Sequence, residues 1–451
     1  MLLDDPRSSF GGAPHRRRYA VPSRRALRSI GFAAVPLFLI TLQIVASRNN
    51  FEGPLETLWH DYTGVPKSFS TAWAALLLTL VGLTWRYRAL VFGAAVLLDA
   101  VYAGVRVLLG GRFVLGNGPV VAITGLVLLA WLGWEGKKRA DALHAAALGA
   151  LLILATMVGD VWLRITVLAG PSVQDRYVVL ADHAFGEPSW IMGRVLAAAP
   201  ALASVLHWVY LELPFGAGLV AIWQLRNVVT SDRWPSHYIV RTFLVLGLVG
   251  PICYVLFPVV GPIFAYGSFG HQFSLGDYWP HTVPPLDHNP GSMPFDNITP
   301  RNCMPSMHTA WATSVFLHSR RAADGSLAPR WLRWLGAFWL AATLGATLGF
   351  GYHYGTDLVA GFVLCLALES ALREPERGWD RTRAGLVAGG AALLAVLLLS
   401  YRYGAEWMAA HPLPAGLMAI GAVAMYARMF WATWFPAPAL IGRADPVPVR
   451  S

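Results

Sequence analysis

Two short stretches of the chain hold the residue types that phosphorus chemistry uses. The first runs Arg301-Asn302-Cys303-Met304-Pro305-Ser306-Met307-His308-Thr309-Ala310-Trp311, and the second Gly351-Tyr352-His353-Tyr354-Gly355-Thr356-Asp357. If a helix begins near residue 353, His353 and Asp357 lie four apart and share a face. The carboxylate then accepts a hydrogen bond from one imidazole nitrogen, fixes the tautomer and leaves the other nitrogen with a free lone pair. That pairing makes a nucleophile with its orienting group. Pro305 and Ser306 read as a helix start, because proline suits the first turn and a helix N-terminus offers free N–H groups to an anion. Ser306 adds a hydroxyl there, and His308, slightly further in, is placed to protonate a leaving oxygen. Arg301 is the one fixed positive charge in the preceding loop, where phosphate recognition would want it. The plain alternatives are polar helix ends for the three catalytic candidates, a simple cap for Ser306 and an interface anchor for Arg301.

With these residues in view, the sequence resembles the type-2 phosphatidic acid phosphatase superfamily. The resemblance rests on Pro-Ser-x-His followed 45 residues later by His-x-x-x-Asp, each at the head of an apolar run. The wording Cys303-Met-Pro-Ser-Met-His-Thr-Ala-Trp311 and Phe257-Pro-Val-Val-Gly-Pro262 is most similar to the inositol phosphorylceramide synthase, or inositolphosphotransferase-like, branch. It covers roughly residues 206–372. It implies that His353 attacks phosphorus to form a phosphohistidine, Asp357 orients it, His308 protonates the leaving alcohol, and Ser306 with nearby amides holds phosphate oxygens. It also implies that no metal or cofactor is needed and that the site faces the non-cytoplasmic side. Two departures stand out. The superfamily's phosphatases carry an earlier Lys-x6-Arg-Pro motif, whereas no Lys follows Lys138 here, and the Arg they place six residues before the second His is Thr347. A phosphodiester needs less charge compensation than a phosphate monoester, so this depletion favours a head-group phosphotransferase over a lipid phosphate or prenyl diphosphate phosphatase using water.

The elements that must position these residues belong to a membrane protein. Of 451 residues, 56% are hydrophobic and only 13% charged, where soluble domains carry about 25% charged residues. The mean hydropathy is +0.50. So few charges cannot clothe a water-soluble surface. The expected fold is all-α: a polytopic transmembrane helix bundle of about twelve spans with a long outer loop. The apolar runs fall at 29–47, 70–86, 89–109, 113–134, 142–168, 206–225, 241–262, 307–319, 332–351, 354–372, 385–402 and 413–432, with residues 189–205 an interfacial or re-entrant helix. The expected organisation is a basic cytoplasmic tail (1–28), an accessory transmembrane bundle (29–190), a catalytic domain (191–372), and two further spans with a short polar tail (373–451).

Thirty-five Lys and Arg stand against 25 Asp and Glu, but Arg residues punctuate the apolar runs and only three of the basic residues are Lys. That pattern sets membrane orientation and excludes a nucleic-acid footprint. Clusters such as Arg86/Arg88, Lys137–Arg139 and Arg373/Arg377/Arg381/Arg383 fall on one side with both termini, and the long loop 263–305 on the other. The expected location is a bacterial inner membrane with the site on its outer face. The loop's aromatic residues (Phe273, Tyr278, Trp279, Phe295) argue for an ordered cap. His271, His281 and His288 have no usual zinc spacing, and Cys253, Cys303 and Cys365 read as packing residues. Asp99 with Arg106 and Asp160 with Arg164 sit within apolar runs. They read as neutralised structural pairs, or, in a non-catalytic transporter or scaffold, as the working charges. The expected partners are a phospholipid or lipid phosphate, a hydroxyl acceptor or water, and the bilayer.

Overall fold

Apolar chain inside a bilayer must satisfy its backbone internally, and helices do so within one segment. The computed structural model describes residues 24–231, 233–266, 290–322 and 326–436, and among these almost every element is helical. The first group comprises α1 (Arg24–Arg48), α2 (Pro54–Thr63), α3 (Phe69–Leu80), α4 (Trp85–Leu108), α5 (Asn117–Gly133) and α6 (Gly136–Ala169). Strand β1 (Ser172–Val173) leads into α7 (Asp175–Asp182), α8 (Pro188–Ala198), α9 (Pro200–Leu211), α10 (Leu213–Leu225), α11 (Ile239–Leu256) and the short α12 (Pro262–Tyr266). Strand β2 (Met293–Pro294) pairs antiparallel with β1, pinning the returning loop to the end of α6. Then follow α13 (Met307–His318), α14 (Arg330–Gly349), α15 (Gly355–Leu372), α16 (Arg381–Tyr403), α17 (Ala405–Ala410) and α18 (Pro412–Trp434).

Six of these helices (α4, α6, α11, α15, α16, α18) are long and apolar enough to cross a membrane, or seven crossings if the α9–α10 pair, bent by 57°, counts as one. The expected count of about twelve goes beyond the six or seven that the described helices support by length and composition. Apolar runs locate helices but do not fix their length. At 1.5 Å per residue, the twelve-residue α3 and α13 are each about 18 Å long, short of a hydrocarbon core about 30 Å thick. The run 206–225 is broken at Glu212, because Pro214 removes a backbone donor and its ring clashes with the preceding turn. The run 241–262 stops at Leu256, since the residue before Pro258 is driven to extended geometry.

The centre of the C-terminal bundle is α15. Some 67% of its most apolar window is buried, against 17% for α4, whose Leu90, Leu97 and Val101 face outward. Around α15 pack α7, α11, α13, α16 and α18. A second core joins α8–α11, α13 and α14 to Leu78 and Val81 of α3 and its C-terminal end and to Ala145 and Leu148 of α6. The head of α13 fits between two glycines. A Cβ on Gly250 of α11 would lie 2.4 Å from Met307 Sδ, and one on Gly361 of α15 would lie 2.2 Å from the Ser306 carbonyl oxygen. The second contact is with backbone and has little room to yield. Gly361→Ala is therefore expected to cost about 1–3 kcal/mol, the usual scale of overpacking, seen as a lower thermal midpoint in detergent; an unchanged midpoint would contradict the packing.

Candidate active site

The two motifs meet through the backbone. Ser306 N–H donates to the Asp357 carbonyl (3.0 Å), joining the heads of α13 and α15. Ser306 is the N-cap of α13, its hydroxyl accepting from the N–H and hydroxyl of Thr309 (3.3 and 3.1 Å). Asp357 occupies the first turn of α15, where an acidic side chain suits the helix dipole. Its Oδ2 accepts from the Tyr354 N–H at 2.7 Å. The same oxygen lies 3.5 Å from His353 Nδ1. The expected His–Asp pair is thus present as a face-to-face approach, with Nε2 turned away from the carboxylate.

Cys303 lies between them. Its thiol donates to Asp357 Oδ2 (2.7 Å) and stands 3.3 Å from His353 Nδ1. By sequence it reads only as a packing residue; its one visible signal is its place two residues before Pro305.

His308 stacks on Tyr210 of α9 (ring centroids 4.0 Å, 17°), and its ring centroid lies 6.4 Å from that of His353. Tyr210 also meets Tyr352 at 5.0 Å, so an aromatic wall flanks the imidazole pair. Burial pushes the His353 imidazole below its usual range, which keeps it neutral and nucleophilic near neutral pH. Two further carboxylates hold the surrounding loops. Asp175 accepts from the N–H groups of Val260 and Gly261 (3.1 and 3.0 Å) and from the Tyr354 hydroxyl (2.9 Å). Asp182 accepts from Thr356 N–H at 3.0 Å, and the Ser189 hydroxyl donates to the His353 carbonyl. These three residues belong to α7 and α8, and no motif marks them in the sequence.

Arg301, expected to bind phosphate, is engaged elsewhere in this structure. Its guanidinium is fully buried and donates to the carbonyls of Gly170 (2.8 Å), Asp296 (2.7 Å) and Thr299, clamping the returning loop to the end of α6. Its neighbours Pro300 and Asn302, not Arg301, border the cavity into which His308 and His353 open. The proposed intramembrane pairs also differ. Asp160 pairs with Lys67 (2.6 Å) rather than Arg164. Asp99 caps the start of α5 through Gly116 and Gly118 N–H, while Arg106 binds the carbonyls of Gly64 and Val114. His271, His281 and His288, with Phe273, Tyr278 and Trp279, lie outside the described residues.

Two groups among the described residues bring three metal-ligand atoms within 4.8 Å of one another. One is Cys303, His353 and Asp357, the surroundings of the His353 imidazole. The other, at the far end of α13, is His237, His318 and Glu369, where Arg373 already pairs with Glu369 at 2.8 Å and Thr242 donates to it at 2.8 Å. A guanidinium there disfavours a second cation.

The cavity has a volume of about 580 Å³ and a predominantly apolar lining that includes both imidazoles. Residues 177–370 match the family model of the PAP2 superfamily. The match covers every residue of the paired motifs. It supports the superfamily and a lipid phosphatase or phosphotransferase type. Residues 27–165 match a domain of unknown function, DUF5933. Nothing among the curated proteins or the solved structures matches the chain.

Within the PAP2 segment, the Cys303 thiol supplies a donor to the buried Asp357 carboxylate. Hydrogen bonds to a charged group are worth about 1.5–3 kcal/mol. Cys303→Val is therefore expected to lower turnover on the order of ten-fold or more, while Cys303→Ser, which keeps a donor, retains most of it. Equal rates for the two variants in a steady-state assay would exclude the role.

Proposed function

We propose that this protein is a membrane lipid phosphotransferase that moves a phospho-head group from a phospholipid to a hydroxyl acceptor through a phosphohistidine. The observation that carries the reading is the pair of imidazoles, one backed by a carboxylate, at one end of an apolar cavity. Their separation is one that a single phosphorus centre with its leaving oxygen can bridge. In the first step His353 Nε2 bonds to phosphorus and the bond from phosphorus to the lipid alkoxide oxygen breaks. His308 gives that oxygen its proton. In the second step the acceptor hydroxyl attacks phosphorus, its proton passes to His308, and the N–P bond breaks. Asp357 fixes the His353 tautomer and stabilises the cationic ring of the intermediate. The open N–H groups at the head of α13, with Ser306 as cap, hold phosphate oxygens. We place the site on the outer face of a bacterial inner membrane with both termini cytoplasmic, in keeping with the arrangement of Arg clusters in the sequence.

Transfer is favoured over monoester hydrolysis by the cavity's charge. Among the described residues no Lys or Arg lines it, and the segment 267–289 contains none in its sequence. A phosphodiester brings one negative charge where a monoester brings up to two. Water as acceptor, acting through the same residues, is the second reading. The intramembrane charges that a transporter would need are engaged in helix caps and ion pairs, so that reading gains no support.

The test is lipid analysis of the purified protein with a phosphorus-labelled phospholipid and a hydroxyl acceptor. A new labelled lipid supports transfer, whereas release of labelled phosphate or phospho-alcohol supports hydrolysis. His353→Ala and His308→Ala are each expected to abolish turnover, by at least about 100-fold for the general-acid residue, and activity is expected to survive chelator. Full activity in His353→Ala would end the proposal. The pH dependence has a definite sign. Because burial lowers the pKa of His353, the acidic limb of kcat/KM is expected well below the ordinary histidine value of about 6.5; a half-loss at the ordinary value would contradict a buried neutral nucleophile.

A further inference from the structure

The cavity is walled by both matched segments. Its lining follows α11 from Ile239 to Tyr254, fifteen residue steps or about 22 Å of helix. That is a groove, long and narrow, and His308 and His353 stand at the Tyr254 end of it. The opposite wall comes from the N-terminal segment: Ala74 and Leu78 of α3, and Leu152, Ala155 and Gly159 of α6, with Asp160, paired with Lys67, as its one charged member. Small residues keep the space open. A Cβ added to Gly159 of α6, or to Gly218 on the α10 wall, would meet nothing within 4 Å.

We infer that this groove holds one acyl chain of the phospholipid whose phosphorus is presented to His353, so that α3 and α6 form a tail-binding wall of the active site. The inference rests on the catalytic reading for what lies at its head. Its own support is the groove's apolar lining, its length and its continuity with the imidazole pair. An extended hydrocarbon chain matches each of these features, and burying it removes apolar surface from the lipid–water boundary at the site. The N-terminal segment thereby acquires a role in substrate choice, since its side chains determine which acyl chains fit.

The test is photolabelling of the full-length protein in detergent with phosphatidylglycerol bearing a mid-chain diazirine, a phosphodiester that carries one negative charge. Label is expected on peptides containing residues 71–78 and 152–163, and excess unlabelled phosphatidylglycerol should compete it away. Gly159→Phe, and independently Gly218→Phe, should reduce labelling at least about ten-fold, the scale on which an apolar pocket responds to a change of one group. Gly93→Phe on α4, also in open space and not part of the groove, should leave it unchanged. Label spread over the lipid-facing α4, α16 and α18, or label insensitive to both groove variants, would overturn the inference. His353→Ala separates the two ideas, since it should lose turnover and keep the labelling pattern. Normal turnover in that variant with labelling intact would remove the catalytic reading and leave the groove.

Discussion

Asp357 is the point through which the two motifs hold each other. Its carbonyl accepts from Ser306, and its Oδ2 accepts from Tyr354 N–H and the Cys303 thiol while facing His353 Nδ1 at 3.5 Å. A single buried residue thus joins the head of α13 to the head of α15 and stands beside the His353 ring. Asp357 Oδ1 is buried with no hydrogen-bond partner among the described residues. An unsatisfied carboxylate oxygen is costly unless a positive charge develops beside it. A phosphorylated, cationic His353 is such a charge, so under the proposed mechanism the cost in the resting state becomes stabilisation of the intermediate.

That junction needs rigid surroundings. Gly250 and Gly361 let α13 approach until backbone meets side chain and backbone, so a shift of α13 would be resisted on two sides. Asp175 and Asp182 fasten the backbone before α12 and at the start of α15 from a third direction. Buried carboxylates bonded to backbone N–H groups act as fixed struts, since each bond given up would leave a polar group without water. The imidazole geometry is therefore set by helix ends and loops that are tied, not by the long apolar spans themselves.

How much of this was legible in the sequence follows from what each signal measures. Composition and apolar runs gave the helical membrane character, because hydrophobicity reports burial or lipid contact directly. They mark more runs than there are described helices long enough to cross, because the same signal marks the short α3 and α13 and the α9–α10 pair, which is bent where Pro214 stands. Pro305, Ser306 and the His353–Asp357 spacing announced helix heads, because caps and dipole effects are local. Cys303, Tyr210 and Asp175 were not legible as site residues, since each reaches the site through packing between distant elements. Arg301 misled for a related reason. A lone cation in a loop looks like a ligand for anions until its guanidinium is seen to be filled by three carbonyls.

The fate of Arg301 bears on chemistry as well as on reading. With that cation spent on the β1–β2 loop, no guanidinium or ammonium among the described residues is part of the cavity lining, whose polar groups include the two imidazoles and the Asp160 carboxylate, itself paired with Lys67. Partial charges of a helix terminus suit one negative charge far better than two, and low dielectric surroundings magnify the difference. A monoester dianion would have to be desolvated against this weak compensation, whereas a diester loses the hydration of only one charge. Under the proposed mechanism, an apolar groove that disfavours water would lengthen the life of a phosphohistidine awaiting a lipid-borne hydroxyl. Charge depletion, burial and a two-walled groove are then the features on which the proposal of transfer between hydrophobic molecules, over release into water, rests.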